Sequence, residues 1–422
     1  MIRKFAVSSY WRDIVLQASG NSIAQFIGVI GIPLLSRLYT PADFAVQNIF
    51  LQLVMFLAGV MTWRYEYFFQ MLKSQGQASL LLGSIVRIGG LAGFAFTGVL
   101  YLSYPLWGER FLSEISLTYI LLAPLTAFFV SLALALQHNR QRCGDFRISA
   151  VSEVFGKFSY VAGGGLLSVV GGAGLVATTL FSAVAKVVYI ACHSKDILFG
   201  KGSRDGQQHP LKVHLHGANA MVVSHVLLTL SSAAPIFFIS YRYGAEVLGQ
   251  FTIVMTTIFL PSGLLGLAIG QVFYQRAAAA SNDPRKVLGF WLSTLKRLTV
   301  VGLPIYLMAS ALSVYIYPLV LGGQWEDAGR YAQVFSLAAF FAFISTPLDR
   351  VSLVLKRSYY LPVLHTLRLL SSLITLFLAL HLNMTFMGFL VLYTVQMAAI
   401  YLFDLLMGWF FLASARANIE SF

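Results

Sequence analysis

Apolar segments of about 20 residues follow one another along almost the whole chain, from residue 15 to residue 412, and few ionisable residues interrupt them. A helix of that length spans the hydrocarbon of a bilayer. The chain is 58% hydrophobic and only 11% charged, where a soluble domain carries about 25% charged residues. The sequence therefore predicts an all-α polytopic membrane protein. The expected spans, about twelve, are 15–36, 44–62, 79–102, 117–136, 148–170, 173–192, 217–240, 247–270, 298–319, 331–348, 361–380 and 386–412. The first has no small-residue cleavage site after it and reads as a retained span, not a signal peptide.

Lys and Arg set the orientation. The connections after odd-numbered spans carry Arg37, Arg110, Arg242 and Arg330, whereas the opposite side carries most of the rest, Arg140, Arg142, Arg147, Arg285, Lys286, Lys296 and Arg297 among them. The positive-inside rule then places both termini in the cytoplasm. The net charge of +13 is mostly a topology signal. Its spread over many short segments argues against a nucleic-acid partner. All six tryptophans fall at expected helix ends, where headgroups hold amphipathic rings. Cys143 and Cys192 both fall on the cytoplasmic side and are expected to be free thiols.

The longest polar interruption, 193–216, reads as a flexible cytoplasmic linker between an N-terminal six-helix lobe, 1–192, and a C-terminal one, 217–422. The halves share a short pattern. Asp43-Phe-Ala-Val-Gln47 opens the second span and Glu246-Val-Leu-Gly-Gln250 the eighth, each a little after a proline, Pro33 or Pro235. An acid suits a helix N-terminus. Equal halves that both start in the cytoplasm predict parallel repeats about an axis along the membrane normal.

An ionisable group inside a span costs roughly 2.5–3.5 kcal/mol on insertion scales and marks a candidate site. Arg87, Lys157, Lys186 and Arg368, with the acids Glu153 and Asp404, all fall in the inner half of the expected spans. Lys157 lies roughly 13 Å along its helix at 1.5 Å per residue, near the midplane. If these groups converge they form a positive chamber reached from the cytoplasm. Arg64 and Glu66, Arg276 and Arg350 lie at the ends of spans. Blander readings exist for several. Glu153 and Lys157 form an i, i+4 pair that would neutralise itself. Lys186 can snorkel to the interface, and Arg64 and Arg350 can hold headgroups. Gln17, Asn21 and Gln25 form a polar stripe on the first span, beside the small residues Gly20, Ala24 and Gly28. That stripe suits either the wall of a polar cavity or interhelical hydrogen bonds. His209, His214 and His216 lack Cys or carboxylate company and read as a solvated loop, and the glycines at 163–165 are not followed by the Lys-Ser/Thr of a phosphate loop. Pro124, Pro261, Pro304 and Pro347 lie within spans and would kink them.

The stretch Ile32-Pro-Leu-Leu-Ser-Arg37-Leu-Tyr-Thr-Pro-Ala-Asp43-Phe44, followed by Arg64-Tyr-Glu66, resembles the opening of bacterial O-antigen and polysaccharide repeat-unit flippases of the multidrug/oligosaccharidyl-lipid/polysaccharide exporter superfamily. Gln137, Arg140-Gln-Arg142 and Phe146, and the segment Gly270-Gln-Val-Phe-Tyr274, are similar to that family as well. The usual glycine after the phenylalanine of the second helix is Ala45 here. The resemblance implies two pseudo-symmetric six-helix lobes around a central cavity, in a bacterial inner membrane. It implies export of a polyprenyl-pyrophosphate-linked oligosaccharide to the periplasmic leaflet, without a cofactor or enzymatic step. Arg64, Arg87, Lys157, Lys186, Arg276, Arg350 and Arg368 would face the anionic head group. Coupling to a proton or sodium gradient would fall to Glu66, Glu153 or Asp404. A polysaccharide polymerase complex is a possible partner. The alternatives are a cation-coupled multidrug extruder of the same superfamily, whose cavity should favour acids, and a membrane glycosyltransferase, ligase or polymerase, which generally carries a large external loop. The longest external loop expected here is 103–116.

Overall fold

The computed structural model describes residues 22–420 except 73, 112–114, 195–196, 198–208, 281–282, 350, 356 and 358. Gln17, Asn21 and Arg350 therefore lie outside the described residues, as does most of the expected linker. The described chain is a succession of helices: α1 Ser22–Leu38, α2 Pro41–Met61, α3 Gln75–Phe111, α4 Leu117–Arg142, α5 Phe146–Leu166 and α6 Gly172–Cys192. A helical rod, Pro210–Ile258, is broken at Gly244 (φ 88°, ψ 171°), so that 210–243 form α7 and 245–258 form α8. There follow α9 Leu267–Ala279, α10 Pro284–Leu321, α11 Glu326–Ser345, α12 Tyr360–His381 and α13 Phe386–Glu420. Eight of the described helical segments are long and apolar enough to cross a membrane. α5 and α11 are not among them. Arg147, Glu153 and Lys157 interrupt the first, and Glu326, Asp327 and Arg330 open the second.

Local chemistry explains the boundaries. Thr40 caps α2 reciprocally: its hydroxyl accepts from the Asp43 N–H, and the Asp43 carboxylate accepts from the Thr40 N–H at 2.9 Å. Pro41 takes the first helical position, where its missing N–H costs nothing. At the other end Trp63 (φ 53°) and Arg64 (φ 57°) adopt left-handed backbone, uncommon for non-glycine residues, and turn the chain sharply into a 3₁₀ segment, Tyr65–Met71.

Contacts divide the chain into two compact units, Met1–Ala245 and Glu246–Phe422. In the first, α1 lies against α5 along a seam of small residues. A Cβ on Gly28 would stand 2.6 Å from Lys157, one on Gly31 2.5 Å from Val161, and Leu35 fills the space above Gly164. Partners that ascend together on both helices make α1 and α5 parallel. Such close approach is what drives helix association where lipid offers no hydrophobic gain. α7 belongs to this unit too. The Tyr65 hydroxyl donates to the Leu211 carbonyl at 2.9 Å, Phe68 stacks on His214 at 4.8 Å, and His225 meets the Met55 carbonyl at 3.0 Å. In the second unit Phe251, Phe335, Phe389 and Tyr393 form an aromatic core. Gly329 lets α11 press on the Ser313 backbone of α10. The matched glutamines Gln47 and Gln250 are both buried, and each bonds to a distant segment of its own unit: Gln47 to Tyr160, Gln250 to the Gln324 carbonyl and the Ala328 N–H.

Four expectations need correction. α3 runs to Phe111, so most of the supposed loop 103–116 is helix. Residues 210–216 are helical as well, which takes His214 and His216 out of the linker. Trp291 and Trp325 are buried in protein and not set among headgroups; Trp325 closes the turn into α11, and Trp291 packs beside Gly408. Of the prolines, Pro124 and Pro304 do sit inside helices, but Pro261 precedes a π turn, Ser262–Gly266, and Pro347 lies just past the end of α11.

Candidate functional site

Three of the expected ionisable groups meet in the first unit. Glu153 on α5 is held from two sides. Lys186 on α6 donates to Oε2 at 2.7 Å, and Gln137 on α4 donates to Oε1 at 2.7 Å. Gln137 also reaches Ser152 Oγ at 3.0 Å. The Lys186 stem crosses α5 over Gly156, where a Cβ would collide with its Cε. Ser182 holds the two helices together there by donating to the Gly156 carbonyl at 2.7 Å.

The alternative in which Glu153 pairs with Lys157 is not the arrangement adopted. The carboxylate faces α4 and α6, and Lys186 takes it. Lys157 is instead drawn across Gly28 toward α1, with its ammonium 5.3 Å from the Tyr160 ring centroid. It is exposed and forms no ion pair or hydrogen bond with another described residue. Gln47 donates to the Tyr160 hydroxyl and fixes that ring. Two ammonium groups and one carboxylate leave the cluster with one uncompensated positive charge, on Lys157.

A second group forms beyond α2. Glu66 is buried and accepts from Thr62 Oγ1 at 2.7 Å, with Arg64 at 3.5 Å. Burial pushes its carboxyl above the usual range, against the smaller pull of the Thr62 hydrogen bond and the Arg64 charge. Arg64 lies over the Tyr67 ring at 4.6 Å, and its Nε is buried without a partner.

In the second unit Asp404 is buried and accepts from Ser345 Oγ at 2.6 Å and the Tyr360 hydroxyl at 2.8 Å. Arg368 lies over the Tyr401 ring at 5.0 Å with its Nε buried and unpartnered, and it makes no ion pair among the described residues. Arg276 is exposed in the last turn of α9. Gln25 is half-buried on α1, and Arg87 is exposed on α3. Arg87 and Arg276 make no described contact with the groups above.

Sequence reasoning named Gln137 only through the family resemblance, with no role for it, and missed Thr62 and the glycine seat of Lys186. Gln137 gave a signal, a polar residue at the end of an apolar span. Gly156, beside Lys157, gave another: a glycine inside a helix marks close approach by something else.

Residues 34–330 match the family described as "Polysaccharide biosynthesis protein". No curated protein sequence matches. Among solved structures, the fold resembles an inward-facing multidrug resistance MATE family transporter of the MOP superfamily, at a TM-score of 0.63 and 14% identity, covering 96% of this chain and 95% of that one. An outward-facing MATE family transporter matches at a TM-score of 0.64 and 12% identity over 97% and 96%. The lipid II flippase MurJ, in an inward closed conformation, matches at 0.64 and 14% over 98% and 92%. The chain thus shares the fold of these solved structures over nearly its full length.

Proposed function

From membership of the polysaccharide biosynthesis protein family, to which this chain belongs, we propose that it is a flippase that carries a polyprenyl-pyrophosphate-linked oligosaccharide from the cytoplasmic to the periplasmic leaflet of a bacterial inner membrane. The observation that carries the reading is Lys157, an exposed ammonium midway along α5, the helix of an expected span, with no ion pair or hydrogen bond to another described residue. Such a group is costly there unless a counter-charge visits it. A pyrophosphate has the matching need, because it cannot enter hydrocarbon uncompensated. Lys157 takes the anion. Lys186, already tied to Glu153, keeps the local balance positive without adding a second naked charge. Alternating access would present the bound head group first inward, then outward. An inside-negative potential favours anion export by about 2.3 kcal/mol per charge per 100 mV. Arg64 and Arg368 serve as further cations. Glu66 and Asp404 are the acids through which a proton or sodium gradient would couple.

The MATE likeness keeps a multidrug extruder as the second reading. Its cationic substrates call for an anionic pocket, and the Glu153 cluster carries the opposite sign.

The test uses purified protein in liposomes loaded on one leaflet with a fluorescent polyprenyl-pyrophosphate saccharide. Lys157→Ala should slow transfer about tenfold to a hundredfold, the worth of a hydrogen bond to a charged group. Wild-type rates from Lys157→Ala at equal protein level, or wild-type transport of cationic dyes in place of the lipid, would overturn the proposal.

A further inference from the structure

Arg87 does not share the surroundings of the lysine cluster. Along α3 it begins a stripe at 87, 91, 94, 98 and 102, one side of the helix at helical spacing. Leu91 is 73% exposed, Phe94 84% and Leu102 76%. Large apolar side chains this open over four turns belong against hydrocarbon, not against a wet chamber. Gly98 adds a notch between Phe94 and Leu102, since nothing lies within 4 Å of where its Cβ would be.

The depth of Arg87 is fixed by its neighbours. Ser84, one turn earlier, lies 3.5 Å from His209 Nε2, and Ser84 Oγ itself donates to the Leu80 carbonyl. His209 Nδ1 accepts from the Leu211 N–H at the start of α7, so Nε2 carries the proton and donates to Ser84. The Leu211 carbonyl in turn accepts from Tyr65, just beyond the end of α2. The end of α2, the start of α7 and Ser84 thus share one level, which the Lys and Arg distribution predicts to be the cytoplasmic boundary. Arg87 is about 4.5 Å deeper. A guanidinium can reach back over that distance to the headgroups. It makes no ion pair or hydrogen bond with another described residue.

We propose that Arg87 is the head of a lipid site on the outer surface of the protein. It binds the phosphate of an anionic phospholipid of the inner leaflet, beside Ser84 and His209, and an acyl chain follows Leu91, Phe94 and the Gly98 notch. A resident phospholipid suits the stripe better than a travelling substrate does. Beyond Arg87 none of its residues offers a hydrogen bond to a sugar or a pyrophosphate on its way across. The site stands on the membrane topology alone and does not depend on the flippase reading.

Thermal unfolding of the purified full chain in nanodiscs of phosphatidylethanolamine, with and without phosphatidylglycerol, tests it. Each variant is compared with its own phosphatidylethanolamine baseline, so a less stable variant still reports. Wild type should gain in melting temperature from phosphatidylglycerol, and native mass spectrometry should show that lipid retained about fivefold over phosphatidylethanolamine, the scale of one basic residue near an anionic surface. Arg87→Ala should lose both effects, and Arg87→Lys should keep most of each. Equal phosphatidylglycerol retention by wild type and Arg87→Ala overturns the site. So does a wild type that ignores phosphatidylglycerol but loses binding of polyprenyl pyrophosphate on Arg87→Ala, which would return Arg87 to the transported lipid.

Discussion

At the scale of residues, the arrangement of two lysines and one glutamate decides which cation is available. Lys186 is bound to Glu153 at 2.7 Å, and both side chains are partly buried, at 25% and 32% exposure. Removing one partner strands the other in a poor solvent for charge. Glu153→Gln and Lys186→Gln should each lower the melting temperature of the purified protein. The double variant should recover a good part of that loss, with a coupling of about 1–3 kcal/mol. Glu153→Gln combined with Lys157→Gln should be nearly additive. Coupling to Lys157 in place of Lys186 would assign the ion pair to Lys157. The sequence showed all three groups, because charges inside apolar runs stand out. It could not show the pairing. The i, i+4 spacing pointed to Lys157, while the real partner is 33 positions away on another helix. Gly156, one residue before Lys157, opens the room that Lys186 occupies, and nothing in a single sequence says which side chain enters.

At the scale of elements, hydropathy found the apolar part of each helix and stopped where the bilayer stops. That is why α3, α7 and α10 begin earlier or end later than expected: their ends carry polar residues, such as Gln75, Lys212 and Arg285, and continue as helix outside the hydrocarbon. The division between α7 and α8 was legible, since Gly244 falls in the gap between two apolar runs. Its backbone, φ 88° and ψ 171°, is a conformation open essentially to glycine alone. No atom lies within 4 Å of its absent Cβ, so a substitution there meets strain and no clash. Gly244→Ala should therefore cost about 1–3 kcal/mol, read as a lower melting temperature in detergent. Alanine at wild-type stability would show that the rod straightens through this position without cost. The left-handed pair Trp63 and Arg64 gave no such signal. Neither residue is a type that favours the conformation, and the surrounding contacts impose it. Trp63 donates to Asn219 at 2.7 Å, and Arg64 covers Tyr67.

At the scale of the whole molecule, the direction of the chain through the membrane determines which leaflet the lysine cluster serves. The structure fixes part of this without reference to charge. Arg140, near the end of α4, donates to Ser194 Oγ at 2.8 Å, just beyond the end of α6. Those two helix ends therefore lie on the same side. Each carries a cysteine, Cys143 after α4 and Cys192 at the end of α6, and both are free and exposed. The distribution of Lys and Arg predicts that this side is the cytoplasm. A membrane-impermeant maleimide should label neither cysteine in intact spheroplasts and both in inverted vesicles, with Cys143→Ala and Cys192→Ala assigning each signal. Labelling of one cysteine from each side would contradict the geometry that places the ends of α4 and α6 together. Labelling of both in intact spheroplasts would keep the fold and reverse its orientation. In that event Lys186, about 9 Å from the end of α6 at 1.5 Å per residue, would lie nearer the outer leaflet. A cation placed there could not receive a pyrophosphate arriving from the cytoplasm, and export would no longer follow from the position of the cluster.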